Sequence, residues 1–224
     1  MRKAVSFLAL SFLCGVPVEA GDPTICRWTY LPPTIDGKGD DAAWKGAQSV
    51  GPFQRAWDKD PAKRKPLTAT EAKLCWDRDN LYFFARMEDG DLFAEKTEHD
   101  ADLWFDDVFE LFFKPSAGFS GYYEFEFNPR NVVLDIYFPQ RGLDDLPRLK
   151  KDFPFHLETA VRLEGTLNKT SDKDKGWAVE GKIPWSDFIR AGGRPRAGDV
   201  WKYAACRYDY SVDFDGPDLS SNAP

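Results

Sequence analysis

Alternating side chains over residues 107–138 constrain this chain to an antiparallel β-sheet more strongly than any other feature of its sequence. Side chains along a strand point alternately to opposite faces of a sheet. From Asp107 to Phe113 both faces are apolar, which predicts a central strand covered on both sides. An ionised carboxylate at Glu110 is costly there unless it is paired or opens into a polar pocket. Glu110 is therefore a candidate site residue.

The following segment has one apolar face and one polar face, and the polar face carries Glu124, Glu126 and Asn128. A turn is predicted over residues 128–131, because proline pre-sets φ and asparagine tolerates turn geometry. The return strand continues an apolar face with Val132, Leu134, Ile136 and Phe138. Pairing the first and last turn residues would place Glu124 opposite Asp135, in a row of carboxylates and amides. Such a row suits sugar hydroxyls, although an ordinary solvated face explains it too.

The order of short motifs along the chain resembles that of the family 9 carbohydrate-binding modules and their DOMON-like relatives. The motifs are PTIDG at 33–37, DDAAW at 40–44, CWDRDNLYF at 75–83, ED at 88–89, LWFDDVFELF at 103–112 and YYEFEFN at 122–128. The resemblance runs from about Ile35 to Asp209, and an ordered set over that length is far more specific than any single motif.

The resemblance implies non-catalytic binding of a poly- or oligosaccharide by an all-β fold. That fold is an antiparallel β-sandwich of immunoglobulin or jelly-roll type, and the short strands at this spacing favour it over a βαβ fold. The resemblance makes Trp104 the platform on which a sugar ring stacks, and Glu110, Glu126 and Asn128 its hydrogen-bonding partners. At Glu126 well-studied members carry a basic residue, so this chain departs from the pattern there. Trp104 could instead simply cover a sheet edge.

One or two short helices are expected, around residues 40–47 with Asp40 or Asp41 as N-cap and at 184–188 with Pro184 in the first turn. Residues 68–76 and 81–87 predict a hairpin. The last predicted strand is 199–210.

The resemblance implies a further C-terminal segment with a second aromatic and a closing strand, which 218–224 does not supply. A bare sheet edge and weak, one-sided stacking on Trp104 are expected as a result.

Two further site hypotheses involve bound groups. The resemblance implies possible calcium ligands at Asp89 and Asp91 within an acidic segment that lacks EF-hand spacing. Some DOMON-like relatives bind haem through Met with His or Lys, which makes electron transfer the alternative function and Met87, His99 and His156 its candidates. A core position is the simpler explanation for Met87.

Residues 1–20 have the charged, apolar and small-residue parts of a secretory signal peptide, with cleavage after Ala20. An exported single domain over 21–224 follows, and no apolar run is long enough to span a bilayer. The net charge of −7 disfavours nucleic acid as a partner. Cys26, Cys75 and Cys206 remain after processing, either as one disulfide of unknown pairing plus a free thiol or as buried apolar residues.

An enzymatic function is not predicted. A glycosidase needs two carboxylates placed on either side of the scissile bond, and no pair in this acidic chain is set apart from a solvated face. A role as an accessory domain of a glycoside hydrolase stays open.

Overall fold

The computed structural model describes residues 23–55, 58, 60, 63–116, 118–143 and 145–222. The predicted signal peptide and its cleavage site lie outside these residues, so export stays a prediction. The described chain forms two β-sheets with short helical segments between strands. The predicted all-β sandwich is confirmed.

The first sheet has six strands in the order β1-β3-β4-β9-β8, and β2 also pairs with β3. Its strands are β1 (Arg27–Trp28), β2 (Ser49–Val50), β3 (Thr70–Trp76), β4 (Asn80–Glu88), β8 (Glu158–Glu164) and β9 (Gly176–Pro184). All its pairs are antiparallel except the short parallel pair of β1 with β3. The predicted hairpin is β3 and β4, joined through Asp77, whose Oδ1 accepts the backbone N–H of Asp79 and Asn80.

The second sheet has five antiparallel strands in the order β11-β10-β5-β6-β7. Its strands are β5 (Val108–Lys114), β6 (Tyr122–Phe127), β7 (Val133–Phe138), β10 (Lys202–Asp209) and β11 (Asp218–Ser221). The named helical segments of the described ranges are α1 (Ala42–Gly46), α2 (Leu146–Leu149) and two 3-10 helices, Leu103–Phe105 and Trp185–Ala191. Both predicted helices therefore exist, the second as a 3-10 helix that follows Pro184.

The main core lies between the sheets, where the rings of Phe83 and Phe127 stack with centroids 4.7 Å apart. A second apolar cluster covers the outer face of the five-stranded sheet. It joins Leu103, Val108, Leu134, Ile136, Phe138 and Leu149, all buried. The five-stranded sheet is thus covered on both faces, which accounts for the two apolar faces of β5.

The first sheet holds the N-terminal segment through one buried carboxylate, Glu180 on β9. Its Oε1 accepts the indole N–H of Trp44 at 2.6 Å, and its Oε2 accepts the backbone N–H of Asp36 and Gly37. Trp44 is accordingly a core residue of α1.

The predicted register of the β6–β7 hairpin is wrong by one residue. The structure pairs Glu126 with Leu134 and Glu124 with Ile136. Asn128 pairs with Val132 rather than with Asn131, because Asn131 adopts φ 60 and the loop gains one residue. A one-residue slip moves every side chain of a strand to the other face. Asp135 therefore leaves the carboxylate row, and the apolar residues of β7 lie beside the carboxylates instead.

The expected bare edge at β10 is also wrong. Asp218–Ser221 forms β11, which pairs with β10 from Cys206↔Ser221 to Asp209↔Asp218. Gln54 adds an isolated bridge to Ser221 on the far side of β11. The segment is short and polar, so its pattern did not indicate a strand.

Cys26, Cys75 and Cys206 are all free thiols, Cys26 partly buried and the other two buried. Burial raises the pKa of Cys26 and Cys75 to about 12, and that of Cys206 well above its ordinary value. The structure therefore supports the second interpretation, in which the cysteines pack as apolar residues and form no disulfide with one another.

Candidate carbohydrate site

Trp104 lies at the edge of the outer face of the five-stranded sheet, in the 3-10 helix that precedes β5. Its side chain is partly buried, and the adjacent Phe105 is 41% exposed. The two rings are tilted against each other with centroids 5.8 Å apart. The hydroxyl of Tyr210 donates to the Trp104 carbonyl at 2.8 Å and fixes the turn. The chain thus presents an aromatic corner beside the sheet.

The acidic residues that follow Trp104 hold this corner in place. Asp106 accepts the backbone N–H of Glu95 and Lys96, and Asp107 accepts those of Phe93 and Tyr210. Backbone N–H groups in loops need acceptors when buried. Asp106 and Asp107 therefore act as hydrogen-bond acceptors for backbone N–H groups of the neighbouring loops.

Three carboxylates lie together on the outer face of the sheet, from Glu110 on β5 and from Glu124 and Glu126 on β6. Glu110 and Glu126 are directly opposite each other in the register, and oxygens of all three lie within 4.8 Å of one another. Glu110 is 3% exposed and Glu126 2%, whereas Glu124 is partly buried. We call these three residues the glutamate cluster.

The glutamate cluster is hard to ionise. Burial raises the pKa of Glu110 and of Glu126 well above the usual range, and a neighbouring glutamate raises each further. Burial also raises the pKa of Glu124 to about 7. The positive charge of Lys150 opposes the rise at Glu124 and Glu126.

Lys150 connects the glutamate cluster with the aromatic corner. Its Nζ lies over the Trp104 ring, 5.5 Å from the centroid, and donates to the carbonyl of Asp100 at 2.6 Å and to Asp102 Oδ1 at 2.8 Å. A cation over an indole face is attracted by the ring quadrupole. In this conformation an ammonium group therefore occupies a ring face that a sugar would use.

Asn128 is fully buried and its side chain is fully engaged within the protein. Its Nδ2 donates to the Lys96 carbonyl and to Asp106, and its Oδ1 accepts the backbone N–H of Arg130 and Val132. An amide group offers two donor hydrogens and two acceptor sites. Asn128 therefore stabilises the hairpin loop here, and its predicted contact with a sugar would require rearrangement.

The four predicted site residues thus occupy one region, with different accessibility. Trp104 is the one with a solvent-accessible face, Glu110 and Glu126 are buried against each other, and Asn128 lies behind them. Sequence reasoning placed Glu124 on the polar face but not in the site, and it missed Lys150. Lys150 lies in a charged loop distant along the chain, and nothing in the sequence indicated that this loop returns to Trp104.

Asp89 and Asp91, the predicted calcium ligands, lie at the end of β4. Asp89 groups with Asp107 and Asp209, all buried, and Arg207 lies among them. The Arg207 guanidinium is 2.8 Å from Asp209 and 3.4 Å from Asp89. Since the guanidinium already supplies positive charge there, these residues match a calcium shell incompletely. The calcium site at Asp89 and Asp91 stays a prediction.

The haem candidates lie in unlike environments. Met87 is 1% exposed in the core between the sheets, as a structural methionine would be. His99 and His156 have largely exposed side chains, beside Asp135 and Asp187 respectively. No observation in the described part of the chain favours haem binding.

Two surface clefts lie away from Trp104. One is lined by residues that include Pro115, Arg194 and Trp201, and the other by Arg55, Asp58, Pro217 and Leu219. Neither contains a glutamate of the cluster.

None of the helices in the described part of the chain has the length and apolar character that a bilayer crossing requires.

Several solved structures share this fold. A family 9 carbohydrate-binding module from Caldicellulosiruptor kristjanssonii in complex with cellotriose is 17% identical with a TM-score of 0.54, over 88% of this chain and 83% of that one. Its glucose complex is 18% identical with a TM-score of 0.54, over 88% and 84%. A proposed carbohydrate-binding protein from Bacteroides uniformis is 15% identical with a TM-score of 0.60, over 89% and 88%. Among curated proteins, none matches this chain.

The family described as "Carbohydrate family 9 binding domain-like" matches residues 35–209, which is most of the chain. That range agrees with the extent of the motif resemblance and includes every strand from β2 to β10. The chain belongs to the carbohydrate family 9 binding domain-like family.

Proposed function

We propose that this protein binds carbohydrate without cleaving it, on the outer face of the five-stranded sheet, with Trp104 as the stacking platform. The observation that carries the proposal is an accessible indole beside a cluster of carboxylates, in a chain of the family 9 type. Two structures with the same fold hold cellotriose and glucose. A soluble β-1,4-linked glucose oligomer is therefore the first ligand to test.

The physical basis of binding is the fit of a sugar to an aromatic corner with polar neighbours. The apolar face of a sugar ring stacks on the Trp104 indole, with Phe105 at its side. Hydroxyl groups at the ring edge need acceptors, and Glu124, the partly buried member of the glutamate cluster, supplies one. The ligand displaces the Lys150 ammonium from the indole face, and Lys150 is then free to donate to a sugar hydroxyl.

The placement of the carboxylates on one sheet surface supports binding without cleavage. Glycosidases place two carboxyl groups on either side of the scissile bond. In the glutamate cluster the oxygens are within 4.8 Å of one another on one sheet surface, and Glu110 and Glu126 are buried. A sugar on Trp104 would have all three on the same side. The proposal therefore assigns them to recognition.

Titration calorimetry with cellotriose tests the platform. Replacing the indole by a methyl group in Trp104→Ala removes the stacking surface, so affinity should fall by about tenfold or more, equivalent to roughly 1.4 kcal/mol. Trp104→Phe should retain part of the affinity, because a smaller ring still stacks.

Trp28→Ala is the matched control, since Trp28 is 42% exposed but lies on β1 of the other sheet. It should bind cellotriose like the unmodified protein. Equal affinities for the unmodified protein and Trp104→Ala, or a loss confined to Trp28→Ala, would place the platform elsewhere. Unchanged near-ultraviolet circular dichroism apart from the lost indole verifies that each variant is folded.

A further inference from the structure

Among the described residues, the glutamate cluster has neither an ion-paired cation nor the N–H donors that satisfy other buried carboxylates. Glu180 accepts three N–H donors, and the Asp89–Asp107–Asp209 group contains Arg207. Among the described residues no lysine, arginine or histidine forms an ion pair with the cluster. The Lys150 ammonium instead donates to the Asp100 carbonyl and forms an ion pair with Asp102. The three glutamates therefore face one another.

A second observation indicates that a partner is missing from this arrangement. Glu126 is 2% exposed, and its Oε2 is buried without a hydrogen-bond partner. When it is ionised, a buried carboxylate oxygen without a donor destabilises the fold, and like charges directly opposite in a sheet destabilise it further. Glu110 and Glu126 are such directly opposed residues. A cation placed among the three would remove both costs.

We propose that Glu110, Glu124 and Glu126 bind a divalent cation of the calcium type. Calcium takes carboxylate oxygens at about 2.3–2.6 Å, so two ligand oxygens on one ion lie up to about 5 Å apart. Oxygens of the three glutamates lie within 4.8 Å of one another, which matches that span. Water completes the coordination. This site is separate from the family-implied calcium ligands Asp89 and Asp91, which follow β4.

The surroundings favour a hard cation over a soft one. Cys206 is the cross-strand neighbour of Glu110, and its thiol is buried. Burial and the charge of Glu110 raise the pKa of this thiol, so the protonated form is retained. Zinc and copper(I) prefer a thiolate, whereas calcium prefers carboxylate oxygens. The glutamate cluster offers carboxylate oxygens.

The test is calorimetric titration of calcium chloride into the full chain, stripped with a chelator and studied without sugar at about pH 8, above the pKa of about 7 at Glu124. One ion is expected at the glutamate cluster. Because each ligand supplies part of the charge, Glu126→Gln and Glu124→Gln should each weaken binding by about tenfold or more. Omission of sugar makes the result independent of carbohydrate binding.

Two controls separate this site from other acidic surfaces. Glu164→Gln changes an exposed glutamate on the other sheet and should leave calcium binding unchanged. Asp89→Asn changes the second buried acidic group and separates the proposed site from the family-implied ligands, because binding at the glutamate cluster should survive this change. Absence of calcium binding by the unmodified chain, binding that survives Glu126→Gln and Glu124→Gln, or a loss confined to Asp89→Asn would overturn the proposal. Glu124 is only partly buried, so its amide variant should fold even if Glu126→Gln does not.

Discussion

Two buried glutamates show how the same side chain is stabilised or destabilised by its immediate partners. Glu180 is fully buried with donors on both oxygens, from Trp44, Asp36 and Gly37. Glu126 is nearly as buried, but its Oε2 accepts no hydrogen bond. An unsatisfied buried polar group costs more than a satisfied one gains. Substitution of each by the isosteric glutamine should therefore have opposite effects on stability.

Glu180→Gln should lower the melting temperature, because the amide N–H₂ replaces an oxygen that accepts a hydrogen bond. The cost is about 2 kcal/mol, or about 4–8 °C for a domain of this size. Glu126→Gln should raise the melting temperature by about 3 °C at about pH 8 with chelator present, because an uncompensated charge is removed. Scanning calorimetry of the two variants beside the unmodified protein provides the measurement.

The pH dependence of stability shows whether ionisation of Glu126 raises or lowers the free energy of unfolding. Its pKa is raised in the folded state by burial and by Glu124, against the opposing charge of Lys150. The folded state therefore binds the proton more tightly than the unfolded chain, and stability falls as pH rises above the unfolded pKa of about 4.3. Glu110 and Glu124 contribute in the same direction. If Glu126→Gln lost stability between about pH 5 and 8 as steeply as the unmodified chain, the unpaired-charge account would be wrong.

At the scale of elements, the sequence predicted the strands well because alternation is a local property. The hairpin of β3 and β4 and strands β5, β6 and β7 follow from side chains that alternate over six to nine residues. Register was not predictable in the same way, since it depends on turn length. Asn131 at φ 60 makes the β6–β7 loop one residue longer than expected. The position of α2 and Lys150 depends on tertiary packing, which no local pattern encodes.

The conformation of Asn131 makes a testable prediction about this hairpin. A branched residue is strained at φ 60, so Asn131→Val should cost about 1–2 kcal/mol and lower the melting temperature by about 3–6 °C. Asn131→Gly removes the strain but loses the hydrogen bond from Nδ2 to the Thr159 carbonyl, and it should be nearly neutral. Thermal unfolding of both variants distinguishes them. A valine variant as stable as the glycine variant would contradict the left-handed loop that sets the register of Glu126.

At the scale of the whole molecule, the two sheets have different roles. The six-stranded sheet contributes to the core and holds the N-terminal segment through Glu180. The five-stranded sheet places Trp104, the glutamate cluster and Lys150 on its outer face, where α2 and its loop cover the apolar residues of β7. Of the predicted site residues, Glu110 and Glu126 lie directly opposite each other, and Trp104 lies in the 3-10 helix that precedes β5. The burial of Glu110 and Glu126 could not be predicted, because it depends on tertiary packing on this face of the sheet, to which α2 comes from a distant part of the chain.

The measurement that tests the central claim most directly is nuclear magnetic resonance of the tryptophan indole N–H groups during titration with cellotriose. The chain has eight tryptophans, and the Trp104 signal is assigned by its loss in Trp104→Phe. A ring that receives a sugar experiences a changed local field, so the Trp104 signal should shift progressively and saturate. Trp177, which is 1% exposed in the core, should not move. A Trp104 signal that stays fixed while another indole shifts, or eight fixed signals up to millimolar ligand, would contradict carbohydrate binding at this face.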